Sequence, residues 1–185
     1  VLRVDLTTRR ASVEELVQRD VELYLGGRGF GAAYYHRELP AQFDPLGAEN
    51  TVYLFTGPLT GTMVTSSTKT GLATRSPETG RYVCSNAGGH WGHRLKVRGY
   101  DGMILEGVAD GPVALVLDEG GLRFVPVPSL RGRLASETEA ALQAELGRKD
   151  LSVLCVGPAA ERGVRYASAW CDSRAFGRGG LGARG

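Results

Sequence analysis

The chain of 185 residues contains no apolar run near the ~20 residues that a membrane-spanning helix needs, which excludes a helical membrane protein. Cysteine is scarce. The three present, Cys84, Cys155 and Cys171, are odd in number and widely spaced, so they form no disulfide framework and no C-x-x-C metal or iron–sulfur pattern. They read as small apolar side chains, and a reducing cytoplasm suits them. No basic-then-apolar leader precedes the first strand-like segment, so no secretory signal is expected. An excess of charge is also lacking: 22 basic residues face 20 acidic ones, a formal net charge of +2. That balance speaks against a basic nucleic-acid binder and against a disordered acidic chain. There is no Walker A motif, no serine in a nucleophile elbow and no evident general acid or base. His90 and His93, three apart with Cys84 nearby, make a weak metal pattern that surface histidines produce more often.

Glycine and arginine are abundant. Glycine is 27 of 185 residues, about twice the usual ~7%, and it clusters near positions 26–31, 88–92 and 177–182. Such clusters let a backbone turn tightly or approach a ligand closely. Arginine outnumbers lysine by 19 to 3, and its planar fork suits phosphates and carboxylates. At this length the chain makes one ordinary domain or two small lobes.

The order of elements repeats. In the first half, Leu2 to Leu6 alternate as a strand and a second extended stretch runs to about Leu16. Asp20 is placed as an N-cap, Phe30 to Leu39 have helical spacing, and Thr51 to Phe55 is a strand ending at Gly57-Pro58. In the second half, Val113 to Leu117 and Leu122 to Val127 are strands. Ser136 with Glu139 reads as a capping box opening a helix that Gly147 ends. Leu151 to Val156 is a strand, again ending in Gly-Pro at 157–158. Strand, turn, strand, helix, strand, Gly-Pro thus occurs twice, an internal duplication over about 1–107 and 108–185.

Two segments carry candidate chemistry. In the first, Tyr82 to Gly89 reads as a strand entering a helix whose first turn is Asn86 to Gly89. Bare amides there fit either a phosphate-bearing ligand or an ordinary capped helix. In the second, Asp172 to Gly182 reads as a glycine-rich loop with two arginines, which suits a phosphate clamp and equally a loose terminus. Gly27-Arg28-Gly29-Phe30-Gly31-Ala32 satisfies a loose dinucleotide pattern. The strand that should precede it is absent, and a helix break permitting close packing is the alternative.

Taken together, several stretches resemble the N-terminal domain of the tungsten-containing aldehyde ferredoxin oxidoreductases. They are Gly26-Gly27-Arg28-Gly29; Asp44-Pro45-Leu46-Gly47 with Thr56-Gly57-Pro58-Leu59-Thr60-Gly61; Ser76-Pro77 with Ser85-Asn86 and Gly88-Gly89; Leu95-Lys96 with Gly99-Tyr100-Asp101; Gly157-Pro158-Ala159; and Gly177-Arg178-Gly179-Gly180-Leu181-Gly182. They follow family order across nearly the whole chain.

The resemblance implies an α+β fold of two pseudo-symmetric strand-rich repeats, each with a helix. It implies a single cofactor-binding domain over residues 1–185. In that family the domain is a saddle under a tungsten (or molybdenum) bis-pyranopterin, with magnesium bridging the pterin phosphates. Carried over by position, Asn86 and the Ala175 carbonyl match magnesium contacts. Gly88 matches a backbone contact and Arg174 a phosphate or pterin contact, with Gly177 in the same loop. Lys69 stands where the family often has arginine, keeping the charge and losing the fork.

The [4Fe-4S] cluster and aldehyde pocket belong to C-terminal domains absent from these residues. The implied activity of the complete enzyme is oxidation of an aldehyde to a carboxylic acid, with electrons passed to ferredoxin. The implied partners are the pterin, ferredoxin, a separate C-terminal chain and a second copy in a homodimer, with no nucleic acid and no membrane. A stand-alone, non-catalytic remnant of the same fold, and an unrelated nucleotide binder using Gly27 to Gly31, are the alternatives.

Overall fold

A computed structural model of the chain describes residues 1–184, and the side chain of Arg184 is outside that description. The chain begins with a hairpin, β1 (Leu2–Asp5) and β2 (Arg10–Val13). Two helices follow, α1 (Gln18–Tyr24) and α2 (Arg28–Glu38), then β3 (Val52–Thr56), β4 (Thr70–Arg75) and β5 (Tyr82–Ala87). Helix α3 (Trp91–Val97) leads to β6 (Gly102–Glu106). These six strands form one sheet in the order β2-β1-β6-β3-β4-β5. Only β1 and β6 pair in parallel in this sheet; α3 carries the chain from the end of the edge strand β5 to the start of β6, which slots between β1 and β3.

The second half starts with another hairpin, β7 (Val113–Asp118) and β8 (Gly121–Pro126). It continues through α4 (Ala135–Glu145), β9 (Leu154–Cys155), a short helix α5 (Pro158–Glu161), β10 (Ala169–Cys171) and β11 (Arg174–Phe176). Here the described strands lie in two separate sheets, β7-β8 and β11-β10-β9. The mixture of helices with mainly antiparallel sheets is the α+β class expected from the sequence.

Alternation explains the first sheet. Tyr53, Phe55 and Ala73 bury one face under Phe30 and Tyr34 of α2, with the Phe30 and Phe55 rings 5.3 Å apart. Val4, Leu54, Leu72 and Met103 bury the other face against Phe176 and Leu181 of the second half. The 26–29 glycines serve this packing. A side chain at Gly29 would collide with the Tyr24 carbonyl oxygen, so the α1–α2 break admits close approach, and no strand precedes it. Asn50, fully buried, stitches the sheet end: its amide donates to the Pro45 and Arg75 carbonyls and its oxygen accepts from the Thr74 hydroxyl.

Several local expectations are corrected. Asp20 is no N-cap; it lies within α1 and pairs with Arg37 at 2.8 Å. The second-half helix opens at Ala135 behind Leu134, two residues before the cap expected at Ser136. The Glu137 carboxylate, not Glu139, accepts the Leu134 amide at 2.8 Å. Gly147 does follow the helix end with φ +64°. The strand expected over 151–156 shrinks to Leu154–Cys155.

Candidate cofactor face

The largest correction concerns Asn86. It does not open a helix: it lies in β5, and α3 begins five residues later behind His90. The run Tyr82-Val83-Cys84-Ser85-Asn86-Ala87 pairs with β4 throughout, Gly71 opposite Asn86 and Thr70 opposite Ala87. The second correction concerns the tail. Arg174 to Phe176 form a strand, not a flexible loop, and the turn before it is Asp172-Ser173, with φ +46° and +62°. Two consecutive positive φ values define the mirror-image turn that matches strand twist.

That turn is tied to the β5–α3 loop through Asp172. Its carboxylate accepts from the His90 amide at 2.6 Å, the Ser152 hydroxyl at 2.5 Å and the Val153 amide at 3.1 Å. A Cβ at Gly89 would stand 2.9 Å from the same carboxylate. β5 and β11, the outer strands of their sheets, pack against each other. Asn86 and Ala175 therefore sit on adjacent strands from the two halves of the chain.

Backbone parity shows where their carbonyls point. The Ser76 amide donates to the Arg81 carbonyl at 2.8 Å, in register with the β4–β5 ladder. Pairs alternate from there between bonded and non-bonded, which makes Gly71–Asn86 a non-bonded pair. In the β10–β11 hairpin the residues flanking the two-residue turn, Cys171 and Arg174, are the bonded pair, and Trp170–Ala175 is the next, non-bonded one. The carbonyls of Asn86 and Ala175 thus both point off the free edges of their sheets. Two hard oxygen donors, with an exposed asparagine amide beside them, are a donor set that suits magnesium. The residues present fit that group.

The surroundings are open and cationic. Lys69 is exposed and directly precedes Thr70, so it lies at the same end of the β4–β5 ladder as Gly88. Nothing lies within 4 Å of where a Gly88 Cβ would stand, which leaves that backbone accessible. Arg174 and Gly177 are exposed, and Ala175 is half-buried. Sequence reasoning passed over Arg28 as a site residue. A Cβ at Gly71 would lie 3.2 Å from the Asn86 amide oxygen and 3.5 Å from the Arg28 nitrogen, which brings the start of α2 to this face. The signal was available, since Gly27-Arg28-Gly29 stood out in the sequence, but the helix break was read only as packing.

Other candidates separate from the face. The tail glycines pack against protein rather than approach a ligand. A side chain at Gly180 would collide with the Arg165 carbonyl and one at Gly179 would stand 2.5 Å from Val83. The Gly179 carbonyl also accepts from the Ser76 hydroxyl at 2.7 Å. His90 and His93 join no cluster of metal-ligating side chains among the described residues. Burial raises the Cys84 thiol's pKa above the usual range. It pushes Cys155 up to about 11, and Cys171 up to about 12 with the neighbouring Asp172 carboxylate adding to it. None of the three is poised as a thiolate. Of two cavities, of about 260 and 540 Å³, neither is lined by Asn86, and the larger reaches the Asp172-Ser173 turn. No helix is long and apolar enough to cross a membrane among the described residues.

A family model described as the N-terminal domain of aldehyde ferredoxin oxidoreductase matches residues 1–184. Tungsten-containing aldehyde ferredoxin oxidoreductases from Pyrococcus abyssi and Thermococcus kodakarensis are 39% and 37% identical over 99% and 98% of this chain. An aliphatic sulfonate oxidoreductase WOR-like subunit from Pyrococcus furiosus is 31% identical over 99% of it. The active-site complex BamBC of benzoyl coenzyme A reductase, solved with 1,5-dienoyl-CoA, superposes with a TM-score of 0.96 at 34% identity. That match covers 99% of this chain and 28% of that one. The chain spans about 30% of the length of the tungsten-containing relatives. An α+β fold, a family match over 184 residues and relatives above 35% identity lead to one conclusion: the chain belongs to the aldehyde ferredoxin oxidoreductase family and corresponds to its N-terminal domain.

Proposed function

We propose that this chain is the cofactor-bearing domain of a tungsten (or molybdenum) oxidoreductase. It grips the magnesium–phosphate end of a bis-pyranopterin between β5 and β11. The observation that carries the reading is the pair of outward-pointing carbonyls, Asn86 and Ala175, on adjacent strands. Magnesium takes oxygen donors and leaves the remaining positions of its octahedron to phosphate and water. Arg174 offers a fork to a phosphate, and Lys69 a point charge. The open Gly88 backbone admits the ligand closely, and Gly177 does the same beside Ala175. When bound, the cofactor supplies two-electron redox chemistry at its metal, while the domain binds and orients it.

In the complete enzyme the reaction of this reading is RCHO + H2O → RCOOH + 2H⁺ + 2e⁻, with ferredoxin as acceptor through a [4Fe-4S] cluster carried outside these residues. A separate C-terminal chain, ferredoxin and a second copy of the chain are the proposed partners, in the cytoplasm. A second reading, in which the same domain serves a reductive or sulfonate-directed enzyme, is supported by the likeness to the benzoyl coenzyme A reductase complex and to the sulfonate oxidoreductase subunit. No observation favours a non-catalytic remnant.

Elemental analysis with pterin fluorescence tests the proposal, on the purified chain alone and mixed with the product encoded downstream of it. Tungsten or molybdenum at about one per chain, with pterin and magnesium, supports it. Neither metal nor pterin in either preparation overturns it.

A further inference from the structure

Gly27-Arg28-Gly29 is a motif that the proposed function leaves without a task. Packing accounts for Gly29, and a backbone φ of +49° for Gly27. Neither accounts for Arg28, which is exposed.

Two close approaches carry Arg28 to the cofactor face. A Cβ at Gly31 would stand 2.8 Å from that of Ala73, so α2 lies flush on β4. One turn earlier, a Cβ at Gly71 would stand 3.4 Å from the Gly27 carbonyl carbon and 3.2 Å from the Asn86 amide oxygen. Ala73 pairs with Cys84 and Gly71 with Asn86. The helix thus runs along this ladder, and it starts over the pair that contains Asn86.

Strand alternation puts Tyr82, Cys84 and Asn86 on the α2 side of β5. Tyr82 and Cys84 pack with Phe30 and Tyr34, whereas Val83 and Ala87 pack with the opposite cluster. Arg28 is held against that row. The Tyr82 hydroxyl donates to the Arg28 carbonyl at 3.4 Å. The Arg28 guanidinium lies beside the Cys84 thiol and partly offsets the rise in pKa that burial causes there.

These neighbours are neutral, so they position the guanidinium without cancelling its charge. Arg3, Arg37, Arg98, Arg123 and Arg148 each pair with a carboxylate. Arg28, Lys69 and Arg174 form no ion pair among the described residues. Three cations without acids on one face suit a ligand that carries several negative charges. Of the two in the first half, Lys69 is a point charge and Arg28 alone offers a planar fork.

We propose, on the basis of the function proposed above, that Arg28 is a further cofactor-binding residue whose guanidinium takes a phosphate oxygen for the first half, as Arg174 does for the second. One fork from each half selects a ligand with two phosphates on one magnesium over a ligand with one.

Calorimetric titration of the 185-residue chain with magnesium pyrophosphate, and with inorganic phosphate plus magnesium for comparison, tests this without the loaded enzyme. The parent chain should bind the pyrophosphate complex more tightly than phosphate. Arg28→Ala should weaken the pyrophosphate complex by about tenfold, the scale of one hydrogen bond to a charged group, and narrow its advantage over phosphate. Arg28→Lys should weaken it by about threefold, because the charge stays and the fork is lost. Arg10→Ala removes an exposed charge in β2 and should change binding by less than about twofold. Arg174→Ala separates the outcomes. If it weakens binding while Arg28→Ala does not, Arg28 is no ligand and the proposed function stands. If neither variant weakens binding, or the parent binds no pyrophosphate, both fall. A loss in Arg10→Ala equal to that in Arg28→Ala reduces the effect to net charge and overturns the assignment, as does parent-like binding by Arg28→Lys. Should Arg28→Ala fail to fold, Arg28→Lys decides by the same rule.

Discussion

Asn86 and Asp172 divide the labour of the candidate face. Asn86 is exposed at a sheet edge and caps no helix, so its side chain contributes little to folding. Asn86→Ala should therefore change stability by less than about 0.5 kcal/mol. It should also lower cofactor-metal retention several-fold, read by elemental analysis of protein purified alongside the parent chain. Unchanged retention would show that only its backbone carbonyl matters. Asp172 is the reverse case. Its carboxylate accepts from two backbone amides and one hydroxyl, joining the hairpin turn to β9 and to the loop before α3. Asp172→Ala should cost about 2–3 kcal/mol in urea unfolding, the scale for hydrogen bonds to a charged group. Asp172→Asn should cost less, because asparagine keeps an acceptor and tolerates the positive φ of the turn.

At the level of elements, the glycine-rich tail is structural. Gly180 has φ +70°, and a methyl group there would enter the Arg165 carbonyl. Gly180→Ala should lower the thermal midpoint by several degrees, which calorimetry reads directly. An ordinary flexible terminus would show no change. This is also where the sequence was hardest to read. Hairpins, the α1–α2 break and the Gly-Pro strand ends were legible, because alternation, turn residues and glycine spacing are local signals. Asn86 was misplaced because an asparagine before two glycines looks the same whether it caps a helix or ends an edge strand, and only pairing with Gly71 decides. β9 was overestimated because an apolar run such as Leu151 to Val156 reads as strand whether or not a neighbour is present to pair with it. The proposed partnership of Asn86 with Ala175 joins residues far apart in the chain. It was reached only through the family resemblance, since spacing offers no route to it.

Taken as a whole molecule, the protein holds several acidic groups protonated by burial, Cys171 in the apolar layer shared by the two halves and Tyr53 and Tyr82 on the opposite face of the first sheet. Burial raises the Cys155 thiol to about 11 and the Cys171 thiol to about 12. It moves Tyr53 and Tyr82 upward as well, with the Glu38 carboxylate adding to the shift at Tyr53 and Cys84 at Tyr82. The sign follows from proton counting. Once the pH passes the unfolded thiol's value of about 8.5–9, the unfolded chain binds fewer protons than the folded one, and stability falls with further alkalinity. These groups contribute nothing to the slope below that range, so it should stay flat between pH 7 and 8 as far as they are concerned. By pH 11, Cys171 alone should remove on the order of 1–2 kcal/mol after allowance for solvent screening. Urea midpoints measured from pH 7 to 11 would show the fall. Cys171→Ala would lose packing at neutral pH yet flatten the alkaline slope, whereas the same slope in both proteins would place the titrating groups elsewhere. Cys171 lies in the layer where Phe176 and Leu181 pack on the first sheet, so the measurement reports the joint between the halves that holds β11, the strand of Ala175, against β5, the strand of Asn86.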